Sequence, residues 1–300
     1  MRPTRSLAAL ATISALTLAA CGGDPTQDPG ATEEGAASKV TIGSGNFTES
    51  TILAEVYAKA LQDAGVEVEK KLEIGSRETY LPALQDGSID LIPEYIGTLA
   101  AYFDKELTVT DADEVYAALE KSLPEGLEVL EYSEAENADN VVVTRATADE
   151  QGLEKISDLE GKAGDMTLGG PPEWKERAQG VPGLKEVYGL EFAKFRALSA
   201  GGNVTAQALE NGQVDAANIF TTDPSIVQKD FVILEDDKDL FSAQNLVPLL
   251  SSEVADDAVS ESLNKVSSEL TAEDLAQMQI DVTDGKTPEE VASAWVEENL

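Results

Sequence analysis

The stretch ALQDGSID occupies residues 83–90 of this chain, and the stretch ALENGQVD at residues 208–215 repeats its pattern. Both have the form Ala-Leu-x-x-Gly-x-(Ile/Val)-Asp, and the second copy lies 125 positions after the first (208 − 83 = 125). An aromatic side chain follows five residues after the last Asp of each copy, at Tyr95 and at Phe220. A pattern that recurs twice at so long a period predicts two similar lobes rather than an array of short repeats.

Composition excludes several classes of function. The chain has 300 residues, 42% of them hydrophobic, which is enough for one large core or two modest ones. Its formal net charge of −36 argues against binding nucleic acid or docking by charge on anionic lipid, because both need Lys and Arg. The chain has no His and a single Cys, which removes Ser-His-Asp catalysis, Cys-His catalysis and His-ligated metal sites. We therefore predict no enzymatic activity and no cofactor.

Two dense acidic runs, at residues 111–114 and 235–239, could suggest a calcium site. Neither has the Gly and the ligand spacing of a calcium-binding loop. The first run lies at the start of a predicted helix, where acidic side chains interact favourably with the helix dipole. We interpret both runs as solvated surface and predict no metal site.

The start of the chain has the composition of a targeting segment followed by a linker. Its apolar run at residues 7–20 is too short for a stable membrane span. The run ends in Leu-Ala-Ala-Cys at Cys21, which resembles a bacterial lipobox; an ordinary signal peptide with an incidental Cys is the alternative. We predict a lipoprotein signal peptide at residues 1–20 and a flexible tether at 21–38. Lipid on Cys21 would hold the secreted chain at the outer face of the bacterial cytoplasmic membrane.

After residue 38 the hydrophobic pattern alternates between strand and helix periods, which predicts an α/β fold. One strand-helix-strand-helix-strand series comes first, and a second α/β series follows it. Helices with clear capping signals near the C-terminus would most naturally cover the first series. We predict lobe 1 at residues 39–140 and 239–300 and lobe 2 at 141–238. Two crossings join them, and a ligand cleft lies between them.

Four loops would face this cleft, at residues 44–48, 93–98, 169–177 and 220–223. Three of these loops contain Gly or Pro, which leave the backbone accessible to a ligand. Two lead into helix N-termini, whose N–H groups and positive dipole end suit an anionic group such as a carboxylate.

Side chains in these loops are candidate ligand contacts. Ser44 and Asn46 lie in the first loop. Arg177 can hold a carboxylate with two hydrogen bonds, although its spacing favours a surface ion pair with Glu173 or Glu176.

Tyr95 and Phe220 are the aromatic candidates. Each ring could bind a ligand ammonium through a cation–π contact, worth roughly 0.5–2 kcal/mol when desolvated. The alternative for both is core packing at the end of a strand.

Several separated motifs resemble those of one known family. They are GSGNFTE at residues 43–49, PEYIGT at 93–98, EWKER at 173–177, YGL at 188–190, FTTD at 220–223 and LEDDK at 234–238. The chain resembles the ProX/OpuC-type substrate-binding proteins of ABC importers for quaternary amines such as glycine betaine, choline and carnitine. This resemblance implies a type II periplasmic-binding-protein fold that captures a small zwitterionic or cationic osmoprotectant by hinge closure. It also implies delivery to a membrane permease driven by an ATPase. We expect a monomer.

The resemblance implies how the carboxylate end of a ligand is held. In the family a Lys, a Thr and an Arg bind the carboxylate. The Thr and Arg positions carry Thr98 and Arg177 here, and the Lys position carries Gly45. The anion-binding set has therefore lost one charge.

The resemblance also implies a cage of four Tyr around the ammonium. The first and fourth corners carry Tyr95 and Phe220. The second corner falls at Asp139 and the third near Ala206, so two rings of four remain.

Asp139 changes the kind of ligand that such a cage favours. A quaternary ammonium has no N–H to donate, whereas a carboxylate favours a ligand that donates hydrogen bonds. We hypothesise a primary or secondary amine, a guanidinium or a hydroxylated solute rather than glycine betaine itself. Alternatively, Asp139 turns away and other rings, such as Tyr102, Tyr132 or Trp174, rebuild the cage. A lipid-anchored sensor or scaffold with a degenerate cleft stays open as a different function.

Overall fold

The computed structural model describes residues 39–300. The predicted signal peptide, the tether and Cys21 lie outside these residues. None of the helices in the described part of the chain is long and apolar enough to cross a membrane.

Strands and helices alternate along the described chain. The strands are β1 (Lys39–Gly45), β2 (Glu67–Gly75), β3 (Leu91–Tyr95), β4 (Leu127–Val129), β5 (Val141–Thr144), β6 (Thr167–Gly170), β7 (Lys194–Ala197), β8 (Ala216–Asn218), β9 (Phe231–Ile233) and β10 (Leu246–Ser251). The α-helices are α1 (Thr48–Asp63), α2 (Arg77–Gln85), α3 (Ile96–Phe103), α4 (Ala112–Ser122), α5 (Arg145–Gln151), α6 (Val181–Tyr188), α7 (Gly202–Glu210), α8 (Ser225–Gln228), α9 (Asp257–Glu269), α10 (Ala272–Thr283) and α11 (Pro288–Asn299). Short 3-10 helices lie at Ile156–Leu159, Ala163–Asp165 and Pro172–Lys175.

Two mixed sheets of five strands organise these elements, one in each lobe. The sheet of lobe 1 has the order β2-β1-β3-β10-β4, and the sheet of lobe 2 has the order β7-β6-β8-β5-β9. In lobe 1, β1 pairs in parallel with β2 and β3, and β10 runs antiparallel to β3 and β4. In lobe 2, β6 pairs in parallel with β7 and β8, and β5 runs antiparallel to β8 and β9. The shared topology confirms the predicted two-lobe α/β fold.

The two copies of the repeated stretch occupy equivalent places in the lobes. The first leads from α2 into β3, and the second leads from α7 into β8. Its Asp makes the same contacts in each lobe. The carboxylate of Asp90 accepts from the Thr41 N–H at 2.8 Å, and that of Asp215 accepts from the Thr167 N–H at 2.7 Å. Each Asp also donates its own N–H to the same Thr carbonyl. The repeated Asp therefore ties β3 to β1 in lobe 1 and β8 to β6 in lobe 2.

A glycine in each copy ends the helix that precedes this strand. Gly87 has φ of 76° and Gly212 has φ of 63°, which is the left-handed region that side chains with a Cβ rarely adopt. This requirement explains why Gly occupies the same place in both copies.

The C-terminal helices pack on α1 of lobe 1. Leu53 and Tyr57 of α1 share one buried cluster with Leu263, Leu275 and Trp295, which come from α9, α10 and α11. The apolar faces of all four helices are thereby removed from water.

Hydroxyl side chains start the last two of these helices. Thr271 and Thr287 accept hydrogen bonds from the third residue of α10 and α11, and Asp274 and Glu290 bind back to the cap. Both are capping boxes, and both were predicted from the sequence.

The two segments that cross between the lobes lie side by side. Glu136 and Asn245 form an antiparallel bridge, and the Asn137 N–H donates to the Gln244 carbonyl at 3.1 Å. This paired ribbon places the crossings beside the interface of the lobes.

Some elements have no counterpart in the sequence prediction. α3 begins directly where β3 ends, and its N-cap residue Tyr95 makes no side-chain cap hydrogen bond, so the usual start signal is missing. β7 lies at the edge of its sheet and is mostly exposed, so it lacks a strong apolar pattern.

Candidate ligand-binding site

A cavity lies between the two lobes, beside the paired crossing segments. Its volume is about 50 Å³, and it shares lining residues such as Arg77, Asp139 and Arg177 with an adjacent outer cleft of about 780 Å³. An interface between α/β lobes is a common place for a small-molecule site. The inner cavity is lined by Asn46, Phe47, Gly75, Ser76, Arg77, Tyr80, Tyr95, Thr98, Asn137, Asp139, Pro171, Glu173, Arg177, Ala200, Phe220 and Gln244.

Aromatic rings from both lobes line this cavity. Phe47 lies at the N-cap of α1, with its centroid 6.5 Å from that of Tyr95 and 5.7 Å from that of Phe220. Tyr95 ends β3, and Phe220 follows β8, its counterpart in lobe 2. The ring of Tyr80 also lines the cavity. Phe47 and Tyr80 were not predicted contacts, although Phe47 lies in the first predicted cleft loop.

Behind the ring of Tyr95 lies a fully buried carboxylate. Glu49 is 2% exposed and accepts hydrogen bonds through both oxygens. Its Oε1 accepts from the Tyr95 hydroxyl and, at 2.7 Å, from the Asn137 amide. Its Oε2 accepts from the Thr222 hydroxyl at 2.6 Å and the Gln279 amide at 2.7 Å. Glu49 therefore joins α1 to the end of β3, a crossing segment, the loop after β8, and α10.

Burial is the main influence on the ionisation of Glu49. Desolvation raises the pKa of Glu49, while the hydrogen bonds from Thr222, Tyr95 and Asn137 act in the opposite direction. Burial likewise raises the pKa of the Tyr95 hydroxyl, and the nearby carboxylate of Glu49 adds to this effect. The Tyr95 hydroxyl therefore remains a hydrogen-bond donor to Glu49.

A buried ion pair supports another part of the cavity lining. Arg77, the first residue of α2, donates from Nε and Nη2 to the Glu94 carboxylate at 2.8 and 2.7 Å. The same Nη2 donates to the Thr98 hydroxyl at 2.8 Å, and the Tyr80 hydroxyl donates to Glu94 at 2.7 Å. Burial opposes the charge on Arg77, but the adjacent carboxylate of Glu94 outweighs it and raises the pKa of Arg77. Arg77 was not a predicted contact, because spacing gives no sign that its side chain is buried.

A close backbone approach positions Thr98. A Cβ added at Gly97 would lie 2.4 Å from the Ala243 carbonyl oxygen, so only Gly lets this crossing segment pass against α3. The segment then places the Gln244 side-chain oxygen 3.1 Å from the Thr98 N–H. Close packing against the crossing segment thus explains why the PEYIGT motif has Gly at this position.

Asp139 lies at the cavity and is 7% exposed. Its Oδ1 accepts from the Asn218 amide at 2.7 Å, and no residue in the described range 39–300 donates to its Oδ2. Burial raises the pKa of Asp139, while Arg177 and Arg77 partly offset this effect. Asp139 thus borders the cavity with a carboxyl group that has one donor among the described residues, and its role as a ligand contact stays a prediction.

Arg177 contacts the opposite lobe. Its guanidinium donates from Nε and Nη2 to the Glu78 carboxylate of α2, both at 3.2 Å. Glu173, one of the two partners considered from spacing, lies farther away at 3.9 Å, and Glu176 forms no ion pair with it. Partial burial opposes the charge on Glu78, but Arg177 and Ser76 lower the pKa of Glu78 to about 2.

Only one of the two predicted ligand contacts in the loop at residues 44–48 lines the cavity. Asn46 lines the cavity, but Ser44 is fully buried and does not line it. The Ser44 hydroxyl accepts from the Glu73 N–H at 2.7 Å and donates to the Gly45 carbonyl at 3.2 Å. Ser44 as a ligand contact is therefore corrected: its hydroxyl is used by the backbone of β1 and β2.

The other rings that could rebuild a cage lie outside the inner cavity. Tyr102 and Trp174 line only the outer cleft, and Trp174 stacks on Phe241 at 6.4 Å. Tyr132 pairs with Tyr116 at 5.2 Å and lines neither space. Ala206, which stands near the third corner of the family's cage, lies in the core of lobe 2. Phe47 and Tyr80 line the inner cavity together with Tyr95 and Phe220.

The described residues 39–300 include no group of three or more Asp, Glu, His or Cys side chains arranged to hold a metal ion.

The fold and the cavity between its lobes define the class of this protein, a two-lobe binding protein of type II periplasmic topology. A solved structure described as a glycine betaine/carnitine/choline ABC transporter has the same fold, with a TM-score of 0.68 and 23% identity. That match covers 86% of this chain and 98% of the other.

Sequence comparison then identifies the family. Residues 38–298 match the family model OpuAC, described as the substrate binding domain of an ABC-type glycine betaine transport system. The chain belongs to this family of solute-binding proteins, which are not enzymes. It is therefore an extracytoplasmic binding protein, with a small-molecule substrate and a permease as partners.

Two relatives illustrate the range of the family. The chain is 27% identical to the carnitine transport binding protein OpuCC of Listeria monocytogenes over 276 residues, 88% of this chain and 89% of the relative. It is 29% identical to a glycine-betaine-binding protein of Pseudomonas aeruginosa over 232 residues, 73% of each chain.

Proposed function

We propose that this protein captures a small solute with a positively charged nitrogen, of the glycine betaine, choline or carnitine type, and delivers it to its permease. One observation carries the proposal: the carboxyl group of Asp139 and the rings of Phe47, Tyr95 and Phe220 line the same cavity. Rings and a carboxylate both attract a cation, and desolvation strengthens both attractions. The named ligands of the two relatives, carnitine and glycine betaine, support this choice.

The carboxylate of a zwitterionic solute would meet Arg77, Thr98 and Arg177, which all line the cavity. Nη1 of Arg77 donates to no residue in the range 39–300, while Nε and Nη2 are held by Glu94 and Thr98. We propose that Arg77 supplies the cation that is missing at Gly45. A guanidinium held in this way is positioned before the ligand arrives, which reduces the entropy lost on binding.

A second ligand class is favoured by a specific observation. The Oδ2 of Asp139 has no donor among the described residues, and the Oδ1 of Asn218, beside it, is buried without a partner in this part of the chain. The Oδ2 of Asp139, which lines the cavity, can accept an N–H, which a primary or secondary amine or a guanidinium carries and a quaternary ammonium does not. The test of the function therefore has to include both kinds of cation.

The experiment is a thermal-shift panel on the mature protein with betaines, choline, carnitine, ectoine, amino acids and polyamines. A ligand at 100 times its Kd stabilises a binding protein by about 2.7 kcal/mol. A shift with a betaine or choline supports the quaternary class, and a shift only with N–H cations supports the second class. The absence of any shift would contradict the proposal and favour a sensor or scaffold role.

The lobe boundaries suggest how the site closes. We propose lobe 1 at residues 39–140 and 239–300, lobe 2 at 141–238, and a hinge at the paired crossing segments. The pairing of Glu136 with Asn245 supports this, because two adjacent strands can bend together while both lobes stay rigid. Small-angle scattering with and without ligand measures the expected closure.

We further propose that the mature chain is a monomer anchored by lipid on Cys21, after removal of residues 1–20, with 21–38 as tether. The sequence around Cys21 supports this. The test is incorporation of labelled fatty acid by the wild-type chain and its loss in Cys21→Ser. Light scattering of the mature chain measures its mass.

A further inference from the structure

One buried carboxylate beside the cavity has no cation to balance it. Glu94 is paired with Arg77, and Glu173 lies 3.9 Å from Arg177. Glu49, by contrast, forms no ion pair with any Lys or Arg of residues 39–300, although it is 2% exposed. Burying a charge without an opposite charge costs several kcal/mol, so such a group needs an explanation.

The two oxygens of Glu49 have different surroundings. Oε1 accepts from Tyr95 and Asn137, and both of these side chains line the cavity. Oε2 accepts from Thr222 and Gln279, neither of which lines it. Only one side chain, that of Tyr95 or Asn137, therefore separates Oε1 from the binding site. Oε2 instead joins α1 to α10 and to the loop after β8.

A phenol that donates to a carboxylate carries more negative charge on its ring. Hydrogen-bonded groups polarise one another in a low-dielectric interior, so electron density shifts from the Glu49 carboxylate toward the ring of Tyr95. The face of that ring then attracts a cation more strongly than the face of an isolated Tyr or Phe.

We infer that Glu49 is a positioning residue that makes the site selective for charge: through Tyr95 and Asn137, its carboxylate favours a cationic solute over a neutral solute of the same shape. This inference rests on the proposed function and deepens it. The cation of the solute supplies the opposite charge that the protein itself does not provide for Glu49.

The alternative is that Glu49 only holds the lobes and the ring in place. In that case its replacement would weaken all ligands alike, whatever their charge. A pair of ligands with one shape and different charge separates the two roles. Choline and 3,3-dimethylbutan-1-ol are such a pair, because the second replaces the charged nitrogen with carbon.

The experiment measures the Kd of both compounds by calorimetry for the wild-type protein and three variants. Glu49→Gln removes the charge, and Tyr95→Phe keeps the ring but breaks its link to Glu49. Thr222→Ser keeps the hydroxyl that donates to Oε2, and with it both the charge and the link to Tyr95, so it is the matched control.

We expect the preference for choline to fall about tenfold in Glu49→Gln and less in Tyr95→Phe, where tenfold corresponds to about 1.4 kcal/mol. Thr222→Ser should change the affinity for both compounds by the same factor. If Glu49→Gln does not fold, as judged by circular dichroism, Tyr95→Phe still decides the matter. The inference is overturned if Glu49→Gln or Tyr95→Phe folds and keeps the wild-type preference for choline. It is also overturned if the wild-type protein binds choline no better than the alcohol. In that last case, a thermal shift with another panel cation would leave the proposed function standing.

Discussion

The guanidinium of Arg177 and the carboxylate of Glu78 meet across the mouth of the cavity, with Nε–Oε1 and Nη2–Oε2 distances of 3.2 Å. Glu78 belongs to α2 of lobe 1, and Arg177 follows a 3-10 helix of lobe 2, so this pair joins the two lobes. The carboxylate of a solute would compete with Glu78 for the same guanidinium. We therefore expect the pair to influence both the closure of the lobes and the choice of ligand.

Replacing Glu78 with Gln should strengthen the binding of glycine betaine relative to choline. Glycine betaine has a carboxylate that can use the released Arg177, and choline has none. An exposed ion pair is worth about 0.2–1 kcal/mol, so we expect a gain of at most about fivefold in the ratio of affinities. Calorimetry measures both ligands. Glu191→Gln, which removes a remote exposed pair with Lys185, is the control; an equal change in both variants would argue against competition.

The Arg177–Glu78 pair should also lose its contribution to stability in acid. The folded pKa of Glu78, about 2, lies below its ordinary value of 4.5, so the ionised form favours the folded state. The contribution is complete above pH 4.5 and disappears as the pH falls toward 2. Because the Glu78 side chain is 43% exposed, the effect should be below about 1 kcal/mol. Urea unfolding of the wild type and Glu78→Gln at pH 7 and pH 2.5 measures it, and a difference that grows in acid would contradict this assignment.

Asp139→Asn should stabilise the protein without ligand and weaken the binding of cations. Burial raises the pKa of Asp139 above 3.8, so the folded state disfavours the carboxylate. This penalty is absent below pH 3.8 and grows as the pH rises through the folded pKa. We therefore expect a higher melting temperature for the variant at pH 7 and no difference in acid.

The same substitution should lower cation affinity by about 10- to 100-fold at pH 7, the range for loss of a charged hydrogen bond. In the wild type, affinity should fall as the pH drops through the pKa of Asp139, and in Asp139→Asn it should not. Calorimetry from pH 4 to 8 measures this. Parallel pH profiles would show that Asp139 does not contact the cation.

Phe47→Leu should weaken cation binding although Phe47 was not a predicted contact. Leu keeps an apolar side chain but removes the ring between Tyr95 and Phe220, and one cation–π contact is worth about 0.5–2 kcal/mol. We expect a loss of about 2- to 30-fold in affinity. Tyr132→Leu removes a ring outside the cavity and should leave the affinity unchanged; equal losses would point to a general effect on folding.

The two repeated Asp residues should affect stability unequally. Asp90 and Asp215 each accept from one strand N–H, but Asp215 is the more exposed of the two. Loss of a hydrogen bond to a charged group costs about 1.5–3 kcal/mol when buried and less when water can replace it. We expect Asp90→Ala to lower the free energy of unfolding by about 2 kcal/mol and Asp215→Ala by about 1 kcal/mol, measured in urea. Choline affinity should stay the same, and a reversed order would contradict the burial argument.

The fold was predictable because its signals are local and repeated. Gly87 and Gly212 mark the same turn, and the capping boxes at Thr271 and Thr287 mark helix starts within three residues. α3 was missed because it starts without a capping side chain. Such signals depend on the backbone geometry of a few consecutive residues, so they can be read from the sequence alone.

The site was less predictable because its contacts join distant segments. Ser44 looked like a loop residue facing the cleft, yet its hydroxyl binds the N–H of Glu73 in the neighbouring strand. Spacing favoured Glu173 or Glu176 as partners of Arg177; Glu173 does lie 3.9 Å away, but the shorter contacts, at 3.2 Å, come from Glu78 of the other lobe. Each difference arises from a partner in another strand or lobe.

The sequence by itself determined the two lobes, the strands next to Tyr95 and Phe220, and the absence of His-based chemistry, because these follow from periodicity and composition. Only the tertiary structure decided that Phe47 joins the rings and that Glu49 is buried behind Tyr95. The partners of Glu49 lie as far as 230 residues away, at Gln279. Desolvation of a carboxylate depends on everything packed around it, and that packing has no local signature in the chain.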